Sequence, residues 1–440
     1  MVRRQNLRNE ETPTIKTLII LALFIASLQA FSLDIAGQGV TANYVYVLIP
    51  FVFWLVGVKR RLVRREQVVQ IILIYSLIYF IGFPGDIFEF NNNIGTPIRR
   101  LASFLVFLFP LFLSLVEFKP SDISIFKTAV IIVSVYYSLN SILAFGSLSG
   151  VGVFELKGLL GSQRYGFILC LGFFISLFND KLIIKKWILP QRVFICSIIL
   201  IGAIFTFSRA TIVSLIGGLV FFLVLVLFKK NRRINGKLAL QATNRKFKPF
   251  YLITSLVLVA SVFIAFQSYY DVKFLEFYQT RFIDPLLDGT LMESTLGNDP
   301  ESSEGYRYYT LIRILDYLAA HPLFGSNYQG LYLLYDEFEG SASTHNQYSD
   351  IFLRTGLLGG LLWLFLLYRV FRFCSHDRGL QVGLVSILIY GFFHETFKLS
   401  QGSFVFGMLL SFSYMSAYIT NPRKLLATPL LKGANTFPLL

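Results

Sequence analysis

Long apolar runs separated by short polar ones dominate this chain, and most runs have nearly the same length. They hold roughly 17–22 residues, about what an α-helix needs to cross a hydrocarbon core. Backbone N–H and C=O groups in lipid must be satisfied within the segment, so such runs read as helices. The pattern predicts spans at 15–34, 39–58, 67–85, 98–117, 125–146, 166–179, 190–207, 210–228, 249–267, 349–372, 380–396 and 402–420, the sixth of them short. The expected fold is an all-α polytopic membrane protein of about 12 transmembrane helices, with one large periplasmic loop containing amphipathic helices. Residues 1–266 would hold spans one to nine, 267–348 the loop, and 349–440 spans ten to twelve with a cytoplasmic tail. The ten-residue alternation of an outer-membrane barrel does not occur.

Composition agrees. Of 440 residues, 55% are hydrophobic and 15% charged, with mean hydropathy +0.63. A soluble domain has about 45–50% and about 25%. The net charge of +15 would suggest nucleic acid as a partner, but the basic residues sit in short loops between spans, where they set orientation. No nucleic acid is expected. Lys59, Arg60, Arg61, Arg64 and Arg65 form one such loop; Lys229, Lys230, Arg232, Arg233, Lys237, Arg245, Lys246 and Lys248 form another. Both belong in the cytoplasm of a bacterial inner membrane, and both give the same parity, with both termini cytoplasmic. The basic, then apolar N-terminal stretch reads as a retained first span, not a removed signal peptide. Cys170, Cys196 and Cys374 form no CxxC pair, so neither a disulfide framework nor a zinc site is expected.

The longest outer loop is acid-rich, which makes its few arginines stand out. Residues 306–320 read as an amphipathic helix on the spacing of Tyr308, Leu311, Ile312, Leu315 and Ala319, opened by Arg307 and stopped at His321-Pro322. The loop closes on Ser343-Thr344-His345-Asn346, which puts His345 at the membrane surface and at a helix start. Between spans seven and eight, Thr206-Phe207-Ser208-Arg209-Ala210 leaves hardly any loop, so Arg209 is held at a helix N-terminus suited to an anion. A guanidinium there can grip phosphate oxygens in a bidentate way. Arg164 precedes span six, and Arg99 and Arg100 mark the outer end of span four. Each has a plainer reading: span-end arginines snorkel to headgroups, and a histidine at a helix start can be structural. His321, His376, His394 and Glu395 fall to that plainer reading, the last two as interfacial groups.

Three segments together resemble the O-antigen polymerase and O-antigen ligase superfamily. They are Phe207-Ser208-Arg209-Ala210, then Arg307 ahead of His321-Pro322-Leu323-Phe324-Gly325, and His345-Asn346 leading into Thr355-Gly356-Leu357-Leu358-Gly359. The sequence departs where Ser326-Asn327-Tyr328-Gln329-Gly330 replaces a second glycine-rich turn, which leaves that turn's shape open. The resemblance implies a membrane glycosyltransferase acting on an undecaprenyl-pyrophosphate-linked oligosaccharide at the outer face. It implies that Arg209 and Arg307 hold the pyrophosphate, with Arg164 assisting, and that His345 is the base. Asn346, Arg99 and Arg100 are secondary candidates. A chain-length regulator and a flippase are the implied protein partners, alongside the lipid bilayer. Pyrophosphate is already a good leaving group, so two guanidiniums can take the place of a metal. A histidine, with an unperturbed pKa of about 6.5, suits general-base work near neutrality. With no Asp-x-Asp pair on the outer face, no cofactor or metal is expected.

Polymerase and ligase share this chemistry and differ in acceptor; the richness in Phe, Ile and Tyr suits the divergent polymerases of polysaccharide gene clusters. A transporter is the reading from another class. It would place ionisable groups mid-membrane and break helices in pairs, whereas here the polar groups gather at span ends and no paired broken helices are apparent.

Overall fold

The computed structural model describes residues 18–23, 32–35, 38–41, 66–80, 113–115, 118, 120–147, 165–178, 189–206, 208–231, 303–334, 344–398 and 400–419. The predicted ninth span, most of the second and fourth, Arg99, Arg100 and Arg164 lie outside them. Among the described residues the regular structure is helical except for a two-stranded antiparallel ribbon, β1 Ser32–Ile35 and β2 Gln38–Thr41, where the first span was expected to end and the second to begin. Besides a helical stretch at 18–23, the described helices are α1 Glu66–Phe80, α2 Pro120–Ser147, α3 Gly166–Phe178, α4 Leu189–Phe205, α5 Arg209–Asn231, α6 Ser303–Ala320, α7 Gln347–Cys374, α8 Arg378–Tyr390 and α9 Ser400–Ile419. Among the described residues, Asp122–Leu143, Arg209–Leu227 and Gln347–Cys374 are long and apolar enough to cross a membrane, while α3, α4 and α8 are shorter apolar helices.

Helix α3 is the hub. It is apolar all round, as a helix surrounded by others must be, and Gly166 through Leu177 are buried. It packs against α2, α4, α5 and α8. Small residues let the backbones approach: Gly172 of α3 backs onto Ser134 of α2, and Gly202 of α4 onto Ser138. Ser134 also bonds the Ile168 carbonyl of α3 at 2.9 Å. Such seams are how helices pack where no hydrophobic drive remains between them.

The helices alternate in direction and define two ends. At one, Asp377 caps α8 by accepting from the Leu380 N–H and pairs with Lys127 near the start of α2. Phe412 of α9 meets Phe118 and Phe126 there. The other end gathers the starts of α3, α5, α7 and α9 with the end of α8.

Helix α7 departs from the expectation of one unbroken tenth span. Gly356 has φ 59° and ψ −163°, a conformation reached essentially by glycine alone. The chain folds back there. Phe352 lies on Gly360, and the rings of Tyr348 and Trp363 are 5.8 Å apart; on a straight helix fifteen residues would separate them by about 22 Å. The second half, 357–374, is about 27 Å long at 1.5 Å per residue, close to the hydrocarbon thickness of about 30 Å. Its face of Leu357, Leu358, Leu361, Phe365 and Tyr368 is exposed, as a lipid-facing surface should be. The first half descends beside it. Its start therefore lies beside Trp363, about a third of the way along the second half.

The break is closed by the turn that follows α6. Leu357 and Leu358 donate to the Pro322 and Leu323 carbonyls at 2.8 and 3.3 Å, and the Leu353 carbonyl accepts from the Ser326 N–H at 2.6 Å and its hydroxyl at 3.0 Å. Gly325, at φ 65°, lies so close to the Leu353 carbonyl that a Cβ would overlap it. The two glycine-bearing segments read from the sequence thus dock on each other. The turn left open in the sequence is two short 3-10 turns within Asn327–Leu333, kinked at Gly330 (φ 58°, ψ −135°), which lies against the Arg354 guanidinium.

Helix α6 forms where expected but buries another face. Thr310 and Ile314 are covered, and Ile314 packs with Leu331 and Leu353. Leu311, Ile312 and Leu315 of the expected stripe are exposed, Leu315 at 56%. The apolar spacing is helical, as expected, but docking on α7 selects the strip through Ile314. The predicted stripe is left facing outward, beside the exposed Leu323 and Phe324.

Candidate functional site

The short hairpin expected at 206–210 is present: α4 ends at Phe205 and α5 begins at Arg209. The Ser208 carbonyl starts the helix by accepting from Thr211 and Ile212 at 3.1 and 3.3 Å. Around it the Thr206 hydroxyl accepts from the Ser208 N–H at 3.3 Å and donates to the Ala203 carbonyl at 2.7 Å. Thr206, Ser208 and Thr211 are buried, whereas Arg209 is partly exposed at the helix tip. The Tyr390 hydroxyl, at the end of α8, is hydrogen-bonded to the side chains of Ser208 and Thr211. Gly166 at the start of α3 leaves room for this meeting, since a Cβ would collide with the Thr211 hydroxyl and the Tyr390 ring.

From Tyr390 the chain enters a turn, not the further helical residues to 396 expected for span eleven. This turn holds the segment carrying His345. The Gln347 N–H donates to the Gly391 carbonyl at 2.7 Å, and the Gln347 side-chain carbonyl accepts from the Phe397 N–H at 2.5 Å. Glu395 accepts from the Thr344 N–H at 2.6 Å and from its hydroxyl at 2.9 Å. Glu395 was read as an interfacial group and is instead 8% exposed and structural to this loop. Two charge-assisted bonds explain why a carboxylate is kept there. His345 itself is partly exposed and sits at φ 51°, a left-handed conformation uncommon outside glycine. The pinning at Thr344 and Gln347, on either side, holds it in place.

Asn346 is the N-cap of α7: its side-chain oxygen accepts from Tyr348 and Ser349 at 2.9 and 3.2 Å. That capping role is what the structure assigns to it. His394 lies with its ring 4.9 Å from that of Tyr390. The structure therefore brings Arg209 and the His345 segment to one turn, 390–397, reached from two sides. Arg164 lies outside the described residues; the ring of Tyr165, the first described residue of that segment, stacks on Tyr137 at 4.2 Å. Arg307 lies near the start of α6, which joins α7 through Ile314 and the 321–326 turn.

One further ionic group went unread as a site feature. Arg354 and Asp350 pair at 2.9 Å, one helical turn apart on the first half of α7, each with a side chain 4% exposed. Their spacing within an apolar run is the signal, because charges there must find each other or a cavity. On α6, burial raises the Tyr317 hydroxyl above its ordinary pKa, and its ring lies 4.7 Å from that of His321.

This is a helical membrane protein with a recessed, polar end built on two helix starts and one acid-bearing turn. Residues 194–364 match the family model described as O-antigen ligase, which bears out the resemblance to the O-antigen polymerase and ligase superfamily. The matched segment covers less than half of the chain but includes Arg209, Arg307 and His345. Members of that family are membrane glycosyltransferases of the ligase and polymerase type. No curated protein matches the chain.

Proposed function

We propose that this protein is a surface-polysaccharide polymerase of the O-antigen type. It transfers glycan from an undecaprenyl-pyrophosphate carrier to the hydroxyl of another lipid-linked repeat unit, at the periplasmic face of a twelve-span inner-membrane protein with both termini in the cytoplasm. Arg209 and Arg307 bind the pyrophosphate, with Arg164 assisting. The acceptor oxygen attacks the anomeric carbon, the bond from that carbon to the phosphate oxygen breaks, and the proton passes to His345. The guanidiniums take up the charge left on the pyrophosphate, and no metal is required. Arg99 and Arg100 guide the anionic headgroup into place.

The observation that carries this reading is the shared anchoring of Arg209 and His345 on the 390–397 turn. The hydroxyl of Tyr390 reaches Ser208 beside Arg209, while Gly391, Glu395 and Phe397 hold Thr344 and Gln347 around His345. The recessed start of α7 suits a substrate whose phosphates lie at the edge of the bilayer. The O-antigen ligase reaction, with lipid A–core as acceptor, uses the same groups, and the family match favours it equally. A transporter is less well supported. The helix break at Gly356 has its freed groups bonded to Pro322, Leu323 and Ser326 instead of lining a path.

Complementation of a strain lacking the gene tests this, with His345→Ala, Arg209→Ala and Arg307→Ala compared with wild type at matched membrane expression. Loss of the polysaccharide ladder in all three supports the assignment; a normal ladder from all three sinks it. A null strain showing one repeat on core identifies a polymerase, and complete loss of core-linked sugar identifies a ligase.

A further inference from the structure

We propose that Tyr390 is a positioning residue that sets the separation between the pyrophosphate-binding end of α5 and the segment carrying the base. The inference rests on the reading of Arg209 and His345 given above. Tyr390 is buried at the last position of α8, and its contacts run to both halves of the site. On one side its hydroxyl is bonded to Ser208 and Thr211, flanking Arg209. On the other its ring lies 4.9 Å from His394, and the next residue, Gly391, accepts from the Gln347 N–H at 2.7 Å.

A phenol differs here from any apolar residue of similar size. Its ring fills the space left by Gly166 and packs 6.1 Å from Phe167, which an apolar side chain could also do. The hydroxyl alone ties α8 to the first turn of α5. Ser386, one turn earlier, makes the same kind of tie by donating to the Ser214 carbonyl at 2.6 Å, so the two helices are stitched at two levels. The Tyr390 tie is the one at the level of the site. Transfer needs the acceptor oxygen and the anomeric carbon within about 3–3.5 Å while the leaving group stays bound, and a misplacement of about 1 Å can cost about 100-fold in rate. A strut between the two binding halves acts on the rate of transfer and leaves donor affinity, set by the arginines, nearly untouched.

The test uses the full-length protein in nanodiscs with an undecaprenyl-pyrophosphate-linked donor. It compares wild type, Tyr390→Phe, Ser208→Ala with Thr211→Val, and all three substitutions together. The expected result is a fall in kcat of about 10-fold or more for Tyr390→Phe, on the scale set by misplacement, with donor KM within about twofold and the melting temperature retained. The pair on α5 should lose as much, and the combination no more than either, because all remove one linkage. Unchanged kcat per folded molecule in Tyr390→Phe overturns the proposal, as do losses that multiply in the combined variant. Should Tyr390→Phe fold poorly, the α5 pair alone decides, since it breaks the same tie from the other side. His345→Ala run alongside separates the two levels: full activity there removes the reading beneath, whereas an inactive His345→Ala with an active Tyr390→Phe removes only the strut.

Discussion

Two helices bring candidate residues to the same turn by different means, and the contrast between α5 and α7 explains much of this protein. Helix α5 runs unbroken from Arg209 to Asn231, and a hairpin of only three residues after α4 fixes where it begins. Arg209 is placed by covalent geometry, with Thr206 and Ser208 tidying the turn. Helix α7 starts after a long excursion and is broken at Gly356. Its first half is held by groups distant in sequence: Glu395, Gly391 and Phe397 at the start, Pro322, Leu323 and Ser326 at the break. The lesson is that His345 is only as well placed as two separate segments make it, whereas Arg209 needs little beyond its own hairpin.

The sharpest way to break the comparison is Gly356→Ala. At φ 59° a Cβ is strained, and here it would also overlap the Leu323 carbonyl. The expected outcome is loss of folded protein or of all transfer, read as membrane expression and ladder formation; Gly217→Ala on α5, where the Cβ meets only the end of the Ile389 side chain, should be far milder. A well-folded, active Gly356→Ala protein would mean that the fold-back is not needed.

Asp350→Ala comes next. It leaves Arg354 buried without its carboxylate, at a cost of about 3–5 kcal/mol, seen as a large drop in melting temperature in detergent. Asp350→Leu combined with Arg354→Met should recover most of it. A smaller effect is expected from Glu395→Ala, which leaves the Thr344 N–H without its acceptor, at about 1–3 kcal/mol, while the Thr344 hydroxyl keeps the Asn346 carbonyl at 2.8 Å. Transfer should fall more than stability does, because the freed segment carries His345; Glu395→Gln, which still accepts, should restore part of it. An equal loss in both variants would point to the charge instead of the geometry.

Asn346→Ala is the mildest. Removing an N-cap costs about 1 kcal/mol, so a melting shift of a few degrees with transfer largely retained is expected. Complete inactivation without a stability change would assign Asn346 a part in substrate binding beyond the cap.

Much of this was legible in the sequence. The apolar periods located α3, α4, α5, α6 and α9 to within a few residues, whereas α8 ends six residues before its expected span and α7 is broken where one continuous span was expected; the hairpin at Arg209 followed from spacing alone, because chain length dictates where a short connection ends. The two glycine-bearing segments were visible as motifs, but not that they meet. Glu395 and Arg354 were visible only as charges out of place. Their partners lie 51 residues back and one helical turn away, and spacing alone does not distinguish a buried pair from an interfacial one.

What the sequence determined by itself is what depends on local physics: the presence and approximate positions of the helices, from the need to satisfy backbone groups in lipid, and the placement of Arg209 at a helix start. What only the tertiary structure decided depends on groups distant along the chain. The fold-back at Gly356 needs the 322–326 turn to bond the backbone that the break releases. The buried face of α6 is chosen by Leu331 and Leu353, not by its own stripe. The position of His345 is set by a carboxylate and a turn that follow it by some 50 residues. Those partners are specified by shape and by unmet hydrogen bonds, and neither leaves a period in the sequence.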